Sequence, residues 1–186
     1  MKIILGSSSP FRRAVLEKAG IPFEVVRPDI DEKKIRTLEH EHTPIVLSYA
    51  KGAAVAQKVP DPAIVIACDQ IAICNGIILE KPESADDVRR WYKLYAQYPV
   101  QYINGITVLN TETGACITGQ EIALVSFKTI PDDFTEQQIR ESIVFECCGA
   151  LTDALEDAYG TILKGTKEST IGLPLRFIMD MVEKVK

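Results

Sequence analysis

Ala63-Ile64-Val65-Ile66-Ala67 is apolar at every position and β-branched at its centre. A run with no polar face buries both of its sides, and β-branched side chains suit a pleated strand. The segment therefore reads as a central strand of a sheet covered by helices. It runs into Cys68-Asp69-Gln70. An acid at the carboxyl end of a buried strand stands where open α/β sheets place ligand-binding groups, although such an Asp can also cap the turn that follows.

The chain opens on KIILGSSSPFRRAVLEKA, residues 2–19. Lys2-Ile3-Ile4-Leu5 reads as a short buried strand and Gly6-Ser7-Ser8-Ser9 as a small polar loop. Pro10 then starts a helix, with Ser9 as N-cap and Pro10 at the first helical position. Arg12 and Arg13 fall in the first turn, where the helix dipole favours acids, and Arg12 occupies the place of a capping-box Glu or Gln. A bound anion would resolve the conflict: loop N–H groups, the hydroxyls of Ser7 and Ser9 and two guanidinium groups are the parts of a phosphate cradle. The alternative is that both arginines point into water.

Between and beyond these stretches the expected elements alternate. Gly20 stops the first helix, and residues 21–27 read as a strand. Residues 33–43 read as loop or partial helix, and Thr43-Pro44 starts a helix running to 56–58. Residues 71–79 look like a hairpin around Asn75-Gly76, and Ser84 caps a helix over 85–98. Strands are expected at 100–110 and 116–129, joined by a turn at 111–114. Thr135 reads as the cap of a helix reaching Val144, and 145–159 is ambiguous between loop and helix. A short strand at 161–163 and an amphipathic helix after Pro174, with Leu175, Phe177, Ile178, Met181 and Val182 on its apolar face, close the chain. The pattern is α/β with antiparallel hairpins inserted, in a single domain over residues 1–186 or one with a lobe around a cleft.

Composition narrows the partners. The net charge of −5 argues against a broad nucleic-acid surface and suits a local basic site for a small polyanion. No apolar run has the length of a membrane span. Five cysteines without a C-x-x-C pair fit neither a zinc framework nor a secreted disulfide scaffold, so a reducing cytoplasm is the expected compartment. His40 and His42 lie in a polar stretch and read as a solvated loop.

The motifs of P-loops, dinucleotide-binding turns and nucleophile elbows are missing from the sequence. What remains is a phosphate cradle (Ser7, Arg12, Arg13), acids at turns (Glu32, Asp69) and Lys81 after the hairpin. Cations beside acids are the inventory of metal-assisted phosphoryl or nucleotidyl chemistry.

SSSPFRR near the N-terminus, DIDE at 29–32, ACDQ at 67–70, EKP at 80–82 and IGLP at 171–174 resemble, in order and spacing, the Maf family of nucleoside triphosphate pyrophosphatases. The resemblance implies an α/β fold with a central mixed sheet flanked by helices and a cleft, similar to inosine triphosphate pyrophosphatases. It implies cleavage between the α- and β-phosphates with Mg²⁺ or Mn²⁺, and suggests a homodimer. Carried over residue by residue, it makes Asp69, Lys81, Arg12 and Glu32 the catalytic set, with Asp69 and Glu32 on the metal. Ser7 and Arg12 match the family's phosphate cradle, to which the reading of the loop adds Ser9 and Arg13, with Lys51 as the candidate substitute for a family lysine. Phe11 before the arginines and Gln70 after Asp69 point to the branch acting on 7-methyl-GTP, pseudouridine triphosphate and CTP, and are the candidates for base recognition.

Three departures from the family pattern stand out. The helix lysine of L-A-x-x-K-A falls at Ala53, with Lys51 two positions earlier and about 200° round an ideal helix, so that a distortion at Gly52 would be needed to bring it back. The late A-G-A-Y-G-I-Q-G segment appears as Cys148–Asp153 without its glutamine, and Asp153 and Glu156 are the nearby polar candidates. Asn104 stands where threonine is common. The leading expectation is hydrolysis of a modified nucleoside triphosphate to monophosphate and pyrophosphate. The alternatives are a nucleotide-binding regulator with little catalysis, motivated by the displaced lysine, and a sugar nucleotidyltransferase.

Overall fold

The computed structural model describes residues 1–35, 37 and 39–186. Among these residues seven strands form one mixed sheet: β1 (Lys2–Leu5), β2 (Glu24–Val25), β3 (Ala63–Cys74), β4 (Ile77–Leu79), β5 (Val100–Asn110), β6 (Cys116–Phe127) and β7 (Gly160–Lys164). Their order is β2-β1-β3-β5-β6-β7, with β4 paired to β3. β1 runs parallel to β2 and β3, while β3–β4 and β6–β7 are antiparallel. The helices are α1 (Pro10–Lys18), α2 (Thr43–Ala56), α3 (Ala85–Tyr95), α4 (Asp132–Glu141), α5 (Asp153–Tyr159), α6 (Lys167–Ile171) and α7 (Leu175–Val185). The chain divides into two compact units, one of Met1–Gln70, Asn104–Glu121 and Lys167–Lys186, the other of Ile71–Ile103 and Ile122–Thr166.

In the first unit, strand alternation sorts the core onto two faces. Ile64, Ile66 and Cys68 share a cluster with Leu5, Val15, Leu16, Ile106, Ile178 and Met181. Ala63 and Val65 share the other with Ile4 and Val55. On that second face α2 approaches β5 closely at Gly105, where a Cβ would lie 2.0 Å from the backbone of Pro44. The contact is completed by a 2.9 Å hydrogen bond between the hydroxyls of Ser48 and Thr107. The second unit packs Val88, Trp91, Tyr92 and Tyr95 of α3 with Tyr102, Val125, Phe127 and Leu155.

Several boundaries differ from the sequence reading. The strand expected over 21–27 is only Glu24–Val25. Pro22 and Pro28 bracket it and cannot donate to a ladder. Asp69 is not at the end of its strand, because β3 continues unbroken to Cys74. It does so because the polar residues in its middle are partnered, as described below. The turn at Asn75-Gly76 then follows, with both residues at positive φ as a tight hairpin requires. α3 stops at Tyr95 rather than at 98. α4 starts at Asp132 with Pro131 before it, so Thr135 lies inside the helix and its hydroxyl donates to the Pro131 carbonyl at 3.0 Å. Ser142, at φ 63°, ends that helix. The ambiguous 145–159 stretch resolves into two short 3₁₀ turns and α5, whose N-cap is Thr152.

Candidate active site

The loop after β1 is pinned at its start, where the Gly6 N–H donates to the Ile66 carbonyl at 2.8 Å. Ser7 is buried, and its Oγ accepts the Ser9 N–H at 3.2 Å. Ser9 caps α1 as expected, its Oγ accepting the Arg12 N–H at 3.4 Å. The two arginines then diverge. Arg12 Nη1 donates to the Cys68 carbonyl at 2.6 Å, which places the guanidinium beside the residue preceding Asp69. Arg13 is exposed and pairs along the helix with Glu17, Nε to Oε1 at 2.7 Å. Phe11 is half-buried in the same first turn.

Lys51 is the hub of the acidic side. Its Nζ lies 2.6 Å from Asp69 Oδ1 and 2.9 Å from Glu32 Oε2. The Lys51 and Asp69 side chains are only 9% and 13% exposed, whereas Glu32 is 47% exposed. Burial pushes the Asp69 carboxyl above its ordinary value, with the Lys51 ammonium and then Arg12 pulling the other way. Beside it, burial raises the Cys68 thiol to about 11, so it stays protonated and inert near neutrality. Two carboxylates that converge on one ammonium also converge on one another, and an all-oxygen donor set suits a hard cation. No cluster of three or more His, Cys, Asp or Glu occurs among the described residues. A pair is enough for Mg²⁺, which commonly takes one or two carboxylates and completes its shell with water and substrate phosphate.

The placement of Lys51 corrects the sequence reading of α2. The helix is continuous from Thr43 to Ala56, and its buried positions Leu47, Ser48, Lys51, Gly52 and Val55 share one face. No distortion at Gly52 is needed. Its missing Cβ lets α2 approach, since a Cβ there would lie 3.2 Å from Thr107 and 3.5 Å from Ala67. Ala53 lies off this face, and the lysine that meets the acids is Lys51 itself.

Gln70, one residue on, projects to the opposite face of β3 from Asp69. Its Nε2 donates to Asn104 Oδ1 at 3.0 Å, to the Thr170 carbonyl at 3.0 Å and to the Ser169 carbonyl at 3.2 Å. Gly172, at φ 91°, makes room for this arrangement: a Cβ would meet the Arg12 guanidinium at 3.2 Å and Gln70 Cδ at 3.3 Å. The IGLP motif thus serves the site through the absence of a side chain. Sequence reasoning missed Glu121 and Ser169 in this network. The one signal was the amide of Asn104, set between Ile103 and Gly105 in β5.

Lys81 belongs to the second unit, where its Nζ pairs with Glu146 Oε2 at 2.9 Å, both side chains being exposed. The bond holds the Glu146 carboxyl below its ordinary range. In the same unit the late segment is tied down by buried tyrosines: Tyr92 donates to the Ala150 carbonyl at 2.9 Å and Tyr95 to the Gly149 carbonyl. Of the two candidates for the family glutamine, Glu156 is buried and Asp153 is exposed.

The profile of Maf-like proteins matches residues 2–185. The chain belongs to the Maf family. Among curated relatives of this Maf chain, the 7-methyl-GTP pyrophosphatase of Dictyostelium discoideum is 33% identical, covering 98% of this chain and 96% of the relative. The 7-methyl-GTP pyrophosphatase of Idiomarina loihiensis is 32% identical over 98% and 93%, and that of Methylobacillus flagellatus 32% over 97% and 94%. A solved nucleoside-triphosphatase / dITP/XTP pyrophosphatase from Mycobacterium abscessus aligns at 15% identity with a TM-score of 0.44, covering 99% of this chain and 93% of that one.

Proposed function

We propose that this Maf protein hydrolyses a nucleoside triphosphate of the 7-methyl-GTP kind to the monophosphate and pyrophosphate. Three relatives of nearly equal length carry the name 7-methyl-GTP pyrophosphatase. The observation that carries the chemistry is the Glu32–Lys51–Asp69 cluster, next to an Arg12 that touches the strand at Cys68.

In this reading Ser7, Ser9, the loop N–H groups and Arg12 hold the polyphosphate, with Arg13 as an outer cation that exchanges Glu17 for phosphate. Asp69, whose raised proton affinity suits a base, takes a proton from water as its oxygen attacks the α-phosphorus. The bond between the α-phosphorus and the bridging oxygen breaks, and pyrophosphate leaves with the electron pair. Lys51 orients Asp69, and Arg12 meets charge on the phosphoryl oxygens as the bond breaks. Glu32 and Asp69 would hold Mg²⁺ or Mn²⁺, which neutralises phosphate charge when bound. Gln70 and Phe11 serve the base end. A cytoplasmic homodimer completes the proposal, and no helix among the described residues is long and apolar enough to cross a membrane.

The regulator reading rests on a displaced lysine, and the contacts of Lys51 with Asp69 and Glu32 favour the hydrolytic reading over it. Asp69→Asn decides the mechanism. With Mg²⁺ and 7-methyl-GTP, pyrophosphate release should fall at least about 100-fold while the circular dichroism spectrum is retained. Unchanged release would end the proposed role of Asp69.

A further inference from the structure

Resting on that hydrolytic reading, we infer that Glu121 reads the Watson–Crick edge of the substrate base and that the base it selects is a guanine, above all a 7-methylguanine, rather than a pyrimidine. Glu121 Oε2 accepts from Asn104 Nδ2 at 3.1 Å, and Oε1 accepts from the Ser169 hydroxyl at 2.9 Å. Among the described residues no Lys or Arg pairs with it. The side chain is half-buried. A carboxylate has about four acceptor sites, so both oxygens are held in place and both retain acceptor capacity. Neutral donors fix its orientation but leave its charge unmatched. The partner it lacks is a set of N–H donors, and a positively charged set satisfies it best.

The position fits one end of a nucleotide whose phosphates lie at Arg12. Arg12 and Gln70 flank Gly172, Gln70 donates to Asn104, and Asn104 donates to Glu121. Every link lies within the first unit. Asn104 is fully buried and has a second bond from Nδ2 to the Ser169 carbonyl at 2.9 Å, so its direction, and with it the direction of Glu121, is over-determined.

Guanine offers the complementary edge. Its N1–H and 2-amino N–H point side by side, as the two oxygens of a carboxylate do. Methylation at N7 places positive charge on the ring and makes N1–H a stronger donor. Cytosine sets a single amino donor beside two acceptors, N3 and O2, and uracil flanks its one N–H with carbonyl oxygens, so neither offers two adjacent donors. Both put lone pairs against a fixed negative charge, and such opposition discriminates as strongly as attraction does.

Binding of 7-methyl-GMP and 7-methyl-IMP, which lacks the 2-amino group, is measured by calorimetry alongside pyrophosphate release from the two triphosphates and CTP. The wild type should prefer the guanine nucleotide roughly tenfold, in keeping with one hydrogen bond to a charged group. Glu121→Gln should weaken 7-methyl-GMP about tenfold or more, raise KM with kcat within threefold, and bring the guanine-to-inosine ratio close to unity. A wild-type ratio in that variant overturns the assignment. Should the variant fail to fold, 1,7-dimethyl-GMP on the wild type, which lacks the N1–H, must bind at least tenfold less tightly than 7-methyl-GMP, and equal binding overturns it. A wild type that shows the Glu121-dependent preference in binding but releases no pyrophosphate refutes hydrolysis and leaves the base assignment standing.

Discussion

Lys51 shows how one residue joins stability to chemistry. An ammonium this far from water is tolerated because two carboxylates surround it, and Asp69 is tolerated for the reciprocal reason. Removing one partner of such a pair strands the other. Lys51→Met should therefore cost about 3 kcal/mol in urea denaturation, well above the usual effect of a single substitution. Adding Asp69→Asn to it should restore a large part of that loss, because no uncompensated charge then remains. A double variant as unstable as the sum of the two singles would show that the pair is not energetically coupled. Legibility varied at this scale. Ser9 as a cap was readable because capping is local, and the Arg12 and Asp69 neighbourhood was readable because the opening loop and the central strand have few alternatives. The family pattern puts the lysine at Ala53, two residues from Lys51, and only the buried face of α2 shows that Lys51 meets the acids. Glu121 was invisible, since its partners Asn104 and Ser169 come from β5 and α6, and nothing local in the chain announces that they meet.

Among the elements, those with strong local chemistry matched expectation and those set by partners did not. α3 was signalled by Ser84, and it carries a full capping box: Ser84 Oγ accepts the Asp87 N–H at 3.2 Å, and Asp87 Oδ2 accepts the Ser84 N–H at 3.0 Å. Asp69-Gln70 after an apolar run reads as the end of a strand, and only tertiary partners carry β3 onward to Cys74. The cap yields a prediction with a pH dependence. The hydrogen bond from Ser84, then those from the backbone and the charge of Arg90, hold the Asp87 carboxyl below its ordinary value. The folded state therefore releases this proton more readily than the unfolded state. Its contribution is complete above the ordinary carboxylate pKa and is lost as pH falls through the lowered folded value. Ser84→Ala should cost about 1 kcal/mol at neutral pH. The gap from the wild type should narrow on acidification below pH ~4, where Asp87 begins to protonate. Denaturation curves at neutral and acidic pH check the sign, and turnover should not change. A gap that widens in acid would contradict the Asp87 assignment.

For the molecule as a whole, charge sets the terms on which a nucleotide approaches. The chain carries −5 at neutral pH, and a triphosphate is itself a polyanion. With both carboxylates ionised, the Glu32–Lys51–Asp69 cluster sums to about −1, since two acids meet one ammonium. Arg12 lies next to it and, among the described residues, pairs with no carboxylate, whereas Arg13 is engaged with Glu17. Phosphates brought to such a cluster are repelled unless a divalent cation arrives with them, and Mg²⁺ commonly binds between one or two carboxylates and substrate phosphate. Two consequences separate this from a general salt effect. Chelation with EDTA should abolish pyrophosphate release, and Mg²⁺ or Mn²⁺ should restore it where an equal ionic strength of NaCl does not. Glu32→Gln should raise the Mg²⁺ concentration for half-maximal release by roughly tenfold, the scale seen when one group supporting a metal site is lost. Full activity in EDTA would remove the cation from the mechanism and leave the net negative cluster without a reason to face a triphosphate.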